Sequence, residues 1–403
     1  MRGKKILIGI SGGIAAYKIP QLVRDFRKRG MDVRIVMTEA AKEFVSPLTL
    51  STVSGHEVII GNIPVLKGGI IRAGTWHIDL AQETDCMLIA PATANTIAKI
   101  AHGFSDNVVT TLALAMRGPV IMAPSMDTDM LQRDATQFNI RILRERGYTI
   151  LEPATGELAS GLYGQGRLPD LPIIQKEVEY VLNYSSQDFK GKKVLVTAGP
   201  TREAIDPVRF ISNRSTGTMG FAIANAAAQR GADVTLITGP VSLFTPRNVK
   251  RVDVETAYQM YLAVKKYHKS SDIVIMAAAV SDFSPVTVSK QKIKKNSPGK
   301  DIFNLKLKKN IDIISEAGKN KRENILVGFA LETEDEISNA KKKLHQKNLD
   351  LIVLNNPLIK GSGFGTGTNK ITIITRDGNI HRLKKMPKYY AAHEILNHVK
   401  QLF

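Results

Sequence analysis

A single cysteine, a single tryptophan and an aromatic share of only 6% are the scarcest features of this 403-residue chain. One thiol cannot close an intrachain disulfide, so a disulfide-stapled scaffold is excluded. That cysteine, Cys86, lies within the apolar run Asp85-Cys-Met-Leu-Ile-Ala90 and reads as a small strand hydrophobe. No apolar run approaches the roughly 20 residues that would cross a bilayer. The first residues also lack the basic, apolar and small-residue succession of a secretory signal, so a soluble, cytoplasmic protein without a membrane partner is expected. Acidic residues are outnumbered, with 37 Asp and Glu against 56 Lys and Arg and a formal charge of +19. Such an excess invites a nucleic-acid reading. Against it, no nucleic-acid module is recognisable and the few aromatics do not interleave with the basic residues. Small anionic ligands, and no nucleic-acid partner, are expected.

What the chain has is alternation. Strand-like runs fall at 4–10, 32–37, 85–90 and 119–123, then at 193–197, 233–238, 272–277, 325–329 and 349–354, with helical stretches between them. This pattern predicts an α/β protein of doubly wound parallel sheets built from βαβ units. Its length suits two domains of about 200 residues. A helix over 173–182 and the polar connector 183–191 put the boundary near 188, giving domains 1–188 and 189–403. A closing hairpin is expected over 370–383, around Arg376-Asp-Gly-Asn379.

A βα unit opens twice. Lys4-Lys-Ile-Leu-Ile-Gly-Ile10 leads into Ser11-Gly12-Gly13, after which Ile14, Ala15, Ile19, Leu22, Val23 and Phe26 fall at helical spacing. Lys193-Val-Leu-Val-Thr-Ala198 likewise leads into Gly199-Pro-Thr-Arg202, Asp206, Arg209 and Asn213 before a helical pattern starts near Met219. Open α/β sheets hold ligands at such strand tips. In the first half the tips are Ser11 to Gly13, Thr38, Ala90 to Asn95 and Ala123 to Met126. Each is small or polar, as close backbone approach to a phosphate or ring requires, and each alone also serves as ordinary turn chemistry.

The first half resembles phosphopantothenoylcysteine decarboxylase. The motifs that carry this are Ser11-Gly-Gly-Ile-Ala-Ala-Tyr-Lys18, Trp76-His-Ile-Asp-Leu80, Ala90-Pro-Ala-Thr-Ala-Asn-Thr96, Gly103-Phe-Ser-Asp-Asn107 and Ala123-Pro-Ser-Met-Asp-Thr-Asp-Met130. The resemblance implies a Rossmann-like flavoprotein domain that binds FMN. Its cofactor contacts would be Ser11, Gly12, Gly13, Thr38, Pro91, Thr93, Asn95, Ser105, Asp106, Asn107, Ala123 and Met126. It also implies that FMN oxidises the cysteinyl thiol of 4′-phosphopantothenoylcysteine to a thioaldehyde, that carbon dioxide leaves readily, and that the reduced flavin returns the electrons. His77 matches the catalytic histidine, whose pKa suits a base at working pH. Two positions depart from the pattern. Asp127 stands where most members have Asn, and an ionised Asp127 would repel the substrate carboxylate unless protonated, solvated or turned to another donor. Ser160 stands where the family has a cysteine proton donor, and an alcohol is a much poorer acid than a thiol.

The second half resembles phosphopantothenoylcysteine synthetase, and the two matches together cover essentially the whole chain. This implies a Rossmann-like ligase domain in which the carboxylate of 4′-phosphopantothenate attacks the α-phosphate of CTP, with Mg²⁺, to give an acyl-cytidylate and pyrophosphate, after which cysteine's amine displaces CMP. Between 290 and 309 stand eight lysines against one acid, Asp301, and this run alone would read as a solvated face. Its Lys292-Ile-Lys-Lys295 matches the family's catalytic loop, making Lys292 the catalytic lysine and Lys294 and Lys295 supporting charge. Met276, Ala277, Ala278, Asp282, Ile311, Asp312, Ile313, Ile314, Phe329, Lys343 and Lys347 match nucleotide contacts. Asn213 would orient the acyl intermediate and Arg209 bind its anionic groups. No side-chain metal site is implied. The resemblance further implies homo-oligomers, trimeric through the flavoprotein domains and dimeric through the ligase domains.

Three rivals remain: an active ligase with a flavin-binding but decarboxylation-impaired first domain, a basic nucleic-acid binder, and an NAD(P)-dependent dehydrogenase. The last is weakened because Gly9-Ile-Ser-Gly-Gly13 lacks the G-x-G-x-x-G spacing.

Overall fold

The computed structural model describes residues 2–61, 75–184, 187–294, 303–332, 334–356, 358–359 and 367–403. Lys295, Lys300 and Asp301 of the lysine run lie outside them. Contacts divide the chain into two units, Met1–Ser186 and Gln187–Phe403.

The strands of the first unit are β1 (Lys5–Ile10), β2 (Asp32–Met37), β3 (Ile59–Ile60), β4 (Cys86–Ala92), β5 (Val120–Pro124), β6 (Thr149–Ile150), β7 (Ala154–Glu157) and β8 (Tyr163–Arg167). Its helices are α1 (Ile19–Lys28), α2 (Pro47–Ser54), α3 (Trp76–Glu83), α4 (Ala94–Ala101), α5 (Val108–Ala115), α6 (Thr128–Gln132), α7 (Asp134–Glu145) and α8 (Leu171–Tyr184). Six strands form one parallel sheet in the order β3-β2-β1-β4-β5-β6. The order reverses between β1 and β4, which makes their C-terminal ends the switch point where such sheets open a ligand crevice.

Continuous apolar runs form these strands because helices cover both faces. Ile6, Ile8 and Ile10 of β1 pack on one side with Phe26 of α1, while Leu7 packs on the other with Met87 and Val109. Local signals set the helix ends. Ser46 caps α2, Pro47 is its first residue, and Gly55 ends it in the left-handed region at φ 73°. Cys86 is fully buried in β4, and burial pushes its thiol well above the ordinary range. The helical spacing read from Ile14 onward needs one correction. Ile14–Lys18 is a 3₁₀ turn, and Ile14 is 59% exposed rather than in the core.

The second unit contains β9 (Lys193–Ala198), β10 (Arg202–Ala204), β11 (Phe210–Ser212), β12 (Asp233–Thr238), β13 (Val249–Asp253), β14 (Ile273–Met276), β15 (Phe283–Pro285) and β16 (Leu307–Lys309). These are followed by β17 (Ile325–Leu331), β18 (Leu351–Asn355), β19 (Thr368–Asn369), β20 (Ile371–Thr375), β21 (Ile380–Arg382) and β22 (Met386–Pro387). Its helices are α9 (Thr218–Gln229), α10 (Ala257–His268), α11 (Ile313–Lys319), α12 (Glu336–Gln346) and α13 (Lys388–Lys400). The main sheet runs β13-β12-β9-β14-β17-β18-β20-β21, parallel as far as β18, with β20 and β21 added antiparallel as the expected hairpin. Here the order reverses between β9 and β14. Both halves are therefore α/β, doubly wound and Rossmann-like.

The connector read as polar over 183–191 belongs partly to the second core. Phe189 is fully buried there, and Asp188 pairs with the buried Arg230 at 2.6 Å and with Lys400 at 3.1 Å. Burial alone would raise the Asp188 carboxyl, but Arg230 and Lys400 outweigh it and hold it at about 2, below its ordinary 3.8. A depressed carboxylate stabilises the fold above its unfolded pKa and loses that contribution as pH falls through its folded pKa. Thermal unfolding of the wild type should therefore lose stability relative to Asp188→Asn between about pH 4 and pH 2, whereas at pH 7 the variant should melt lower. Parallel pH profiles for the two proteins would contradict the pairing.

Candidate functional site

In the first unit the switch point is tied across by Ser11. Its hydroxyl donates to the Pro91 carbonyl at 2.6 Å and accepts from the Thr93 N–H at 3.0 Å. Ser11 is thus a buried brace between the β1 and β4 tips, and what it offers a ligand is backbone proximity rather than a spare hydroxyl. Gly12 stands where a Cβ would meet the Ala40 Cβ at 2.7 Å, so only glycine fits there without displacement. Gly13 has its nearest such neighbour, the Thr93 methyl, at 3.4 Å. Thr38, at the tip of β2, has a buried Oγ1 with no hydrogen-bond partner among the described residues. Such an orphaned hydroxyl is costly unless a ligand meets it.

Around the same edge, Thr93 caps α4, and exposed Asn95 sits in that helix's first turn. Asn107 caps α5 in a reciprocal capping box with Thr110. Asp106 pairs with Lys99, whose hydrogen bond holds the carboxyl below its usual range, and Ser105 meets Thr111 at 2.7 Å. Ala123 is buried at the end of β5, and Met126 lies half-buried just beyond it. His77 is the second residue of α3, half-buried and edge-on to Trp76 with ring centroids 5.7 Å apart.

The two departures from the family pattern meet each other. Ser160, in the turn of the β7–β8 hairpin, donates to Asp127 Oδ2 at 2.5 Å. Asp127 also accepts from the Asp129 N–H at 3.1 Å as the cap of α6. The Ser160 hydroxyl first, and that N–H next, hold the Asp127 carboxyl below its ordinary value. Asp127 is therefore ionised and turned to other donors. The hairpin is seated by glycine, since a Cβ at Gly164 would lie 2.2 Å from Thr128 Oγ1 and one at Gly166 2.2 Å from the Met126 carbonyl.

In the second unit, threonines brace the switch point. Thr197 Oγ1 accepts from the Ala278 N–H at 3.2 Å, and Thr201 Oγ1 from the Ser281 N–H at 3.0 Å. Both stand in the stretch Val-Thr-Ala-Gly-Pro-Thr201, where nothing in the residue pattern marks either as a brace. Asn213 donates to the carbonyls of Ala279 and Val280 at 3.0 and 3.1 Å, which places it at the β14 tip with half-exposed Ala277 and Ala278, buried Met276 and exposed Asp282. Both donations come from its amide nitrogen, so its side-chain oxygen is what it can offer a ligand.

Asp312 caps α11, which begins Ile313-Ile314, and pairs with Lys347 at 2.9 Å; exposed Ile311 precedes it. Lys343 pairs with Glu332 at 2.5 Å, and Phe329 is half-buried on β17. Lys292 is exposed, as is Lys294, while Lys295 lies outside the described residues. The structure thus gathers Asn213, the β14 tip and Asp282 directly. Arg209 lies beside Ile293 of the lysine loop, donating to its carbonyl at 3.0 Å.

Comparison with known proteins agrees with this two-unit geometry. Residues 1–183 match a family described as Flavoprotein, and residues 189–403 match the DNA/pantothenate metabolism flavoprotein C-terminal domain. The "Coenzyme A biosynthesis bifunctional protein CoaBC" of Bacillus subtilis is 45% identical over 404 residues, covering 100% of this chain and 98% of that protein. Its namesake from Vibrio cholerae serotype O1 is 46% identical over 379 residues, covering 94% and 93%. Among solved structures, the C-terminal domain of a protein of that name is 37% identical with a TM-score of 0.46, covering 54% of this chain and 98% of that one. Near-complete coverage in both directions, through both units, shows that the chain belongs to the family of coenzyme A biosynthesis bifunctional proteins.

Proposed function

We propose that this chain carries two consecutive steps: the second unit joins cysteine to 4′-phosphopantothenate using CTP, and the first decarboxylates the resulting 4′-phosphopantothenoylcysteine to 4′-phosphopantetheine with FMN. The observation that carries the reading is that each unit ends its central strands in a braced switch point, held by Ser11 in the first unit and by Thr197, Thr201 and Asn213 in the second. Full-length similarity to bifunctional relatives supports it.

The first switch point fits FMN, because Thr38 offers an unmet buried hydroxyl and Gly12, lacking a Cβ, lets the turn after β1 lie close against Ala40 beside it. The Ser11 to Gly13 backbone, Thr38, Pro91, Thr93, Asn95, Ser105, Asp106, Asn107, Ala123 and Met126 would hold it. Bound there, FMN supplies a two-electron acceptor for the cysteinyl thiol and afterwards gives the electrons back. His77 takes the thiol proton on a ring nitrogen. Ionised Asp127 cannot receive the substrate carboxylate directly, so it serves through Ser160, whose hydroxyl it orients.

In the second unit, Lys292 places its ammonium against negative charge developing on the oxygens of the attacked phosphate, and Lys294 adds to the local field. Asn213 presents its amide oxygen to a donor of the acyl intermediate, with Arg209 close by. Met276, Ala277, Ala278 and Asp282, the segment Ile311 to Ile314, Phe329, Lys343 and Lys347 would border the nucleotide. The last two lysines exchange their present carboxylate partners for phosphate. Mg²⁺ would arrive on the nucleotide's own oxygens, the usual manner for this ion. Among the described residues no three His, Cys, Asp or Glu side chains converge into a cage.

A second reading, an active ligase with an impaired decarboxylase, is favoured by one observation: Ser160 replaces a thiol and its proton already points at Asp127. Gly12→Val tests the division of labour. The added side chain would drive into Ala40, so flavin absorbance per chain should fall by about tenfold or more and carbon dioxide release with it, while pyrophosphate release persists. Retention of flavin would contradict a role for the closely packed Gly12 turn in holding it.

A further inference from the structure

Asp206 is 2% exposed, yet it carries a carboxylate that burial penalises unless donors surround it. One oxygen serves its own turn, accepting from the N–H groups of Val208 and Arg209, both at 2.8 Å. The other reaches across 87 residues to the N–H of Ile293 at 3.1 Å. Arg209 completes the grip, donating to the Ile293 carbonyl at 3.0 Å with its Nη1 3.4 Å from Asp206 Oδ2. The peptide joining Lys292 to Ile293 and the one joining Ile293 to Lys294 are therefore both held. A third tie, from the Ser289 N–H to the Ile205 carbonyl at 3.0 Å, lays the preceding strand of loop along the same turn.

We propose that Asp206 is a positioning residue of the ligase site: with Arg209 it clamps the backbone of Ile293 and so fixes where Lys292 presents its ammonium. This rests on the reading of Lys292 as the catalytic lysine. The turn at 206–209 needs only Oδ1, as a local side-chain-to-backbone motif. Oδ2 meets the Ile293 N–H together with the guanidinium of Arg209, which itself grips Ile293, and that reach into the loop is what a purely local role leaves unexplained. Burial works to raise the carboxyl, but the N–H groups of Val208, Ile293 and Arg209, with the Arg209 charge, outweigh it and keep it ionised. A charged acceptor makes the tie to Ile293 stronger than a neutral one.

Asp206→Asn keeps an oxygen for the turn but can set an amide N–H against the Ile293 N–H. Misplacing a catalytic group by about 1 Å can cost on the order of 100-fold. Pyrophosphate release by the full-length FMN-loaded protein should fall by about 10- to 100-fold in kcat, with KM for CTP within about threefold of wild type. In the Lys292→Gln background the same change should add nothing, because it acts through a lysine no longer there. An unchanged kcat in Asp206→Asn, or losses that multiply in the double variant, would overturn the clamp while leaving Lys292 catalytic. Unaltered turnover in Lys292→Gln would remove both readings. Ile293→Pro deletes the same hydrogen bond from the loop side, with Asp206 and its turn intact. Should Asp206→Asn not fold, a 10-fold or greater fall in kcat for Ile293→Pro sustains the proposal and wild-type turnover overturns it.

Discussion

Lys292→Gln is expected to slow pyrophosphate release by about 100- to 1,000-fold, the usual cost of losing one preorganised group that meets transition-state charge. The substitution keeps a polar side chain one atom shorter than lysine and removes the charge from an exposed position, so folding should be unaffected. Flavin content and carbon dioxide release from supplied 4′-phosphopantothenoylcysteine should stay at wild-type levels, since the change lies in the other unit. The measurement is single-turnover pyrophosphate release with 4′-phosphopantothenate and CTP, before cysteine is added. A rate within threefold of wild type would remove Lys292 from the reaction.

His77→Asn should have the converse effect. Loss of a general base typically costs about 100- to 10,000-fold, so carbon dioxide release should become nearly undetectable while ligation continues and 4′-phosphopantothenoylcysteine accumulates. His77 packs edge-on against Trp76, which is 8% exposed, and asparagine cannot reproduce that contact. Flavin absorbance must therefore be followed alongside to separate lost chemistry from a lost site. The companion variant Ser160→Cys supplies the thiol donor the family pattern contains. If the second step is limited by proton donation, 4′-phosphopantetheine formation should rise; if the Asp127–Ser160 pair is fully competent, it should not. Wild-type carbon dioxide release from His77→Asn would contradict the assignment of the base.

What the sequence revealed follows from periodicity. The central strands could be read because helices cover both faces, leaving apolar runs such as Ile6 to Ile10 and Val194 to Val196. The small two-stranded ribbons could not. β16 is exposed along its whole length, β10 and β11 span three residues each, and no alternation can develop over so short a distance. The β7–β8 hairpin carries Gly156, Gly164 and Gly166, poor strand formers; Gly156 makes room for the Arg167 side chain, and the missing Cβ of the other two lets the hairpin approach Thr128 and the Met126 carbonyl.

The site was legible wherever motif and strand tip coincide, as at Ser11 to Gly13 and at Asn213 with the β14 tip. Its braces were not. That Ser11 spends its hydroxyl on Pro91, that Ser160 turns to Asp127, and that Asp206 holds Ile293 all depend on residues from 33 to 87 positions apart. Those pairings exist only once the sheet has brought its strand ends together. Ile14 shows the opposite error: it keeps helical spacing, yet the 3₁₀ turn rotates it into solvent.

On the reading proposed above, one polypeptide performs both steps in sequence. The most direct measurement incubates the purified protein with 4′-phosphopantothenate, cysteine and either CTP or ATP, following pyrophosphate and carbon dioxide separately. Bound flavin is expected, with pyrophosphate release faster with CTP and dependent on 4′-phosphopantothenate, and carbon dioxide approaching one per pyrophosphate after a lag. A colourless protein, or one that releases neither product with either nucleotide, would contradict it.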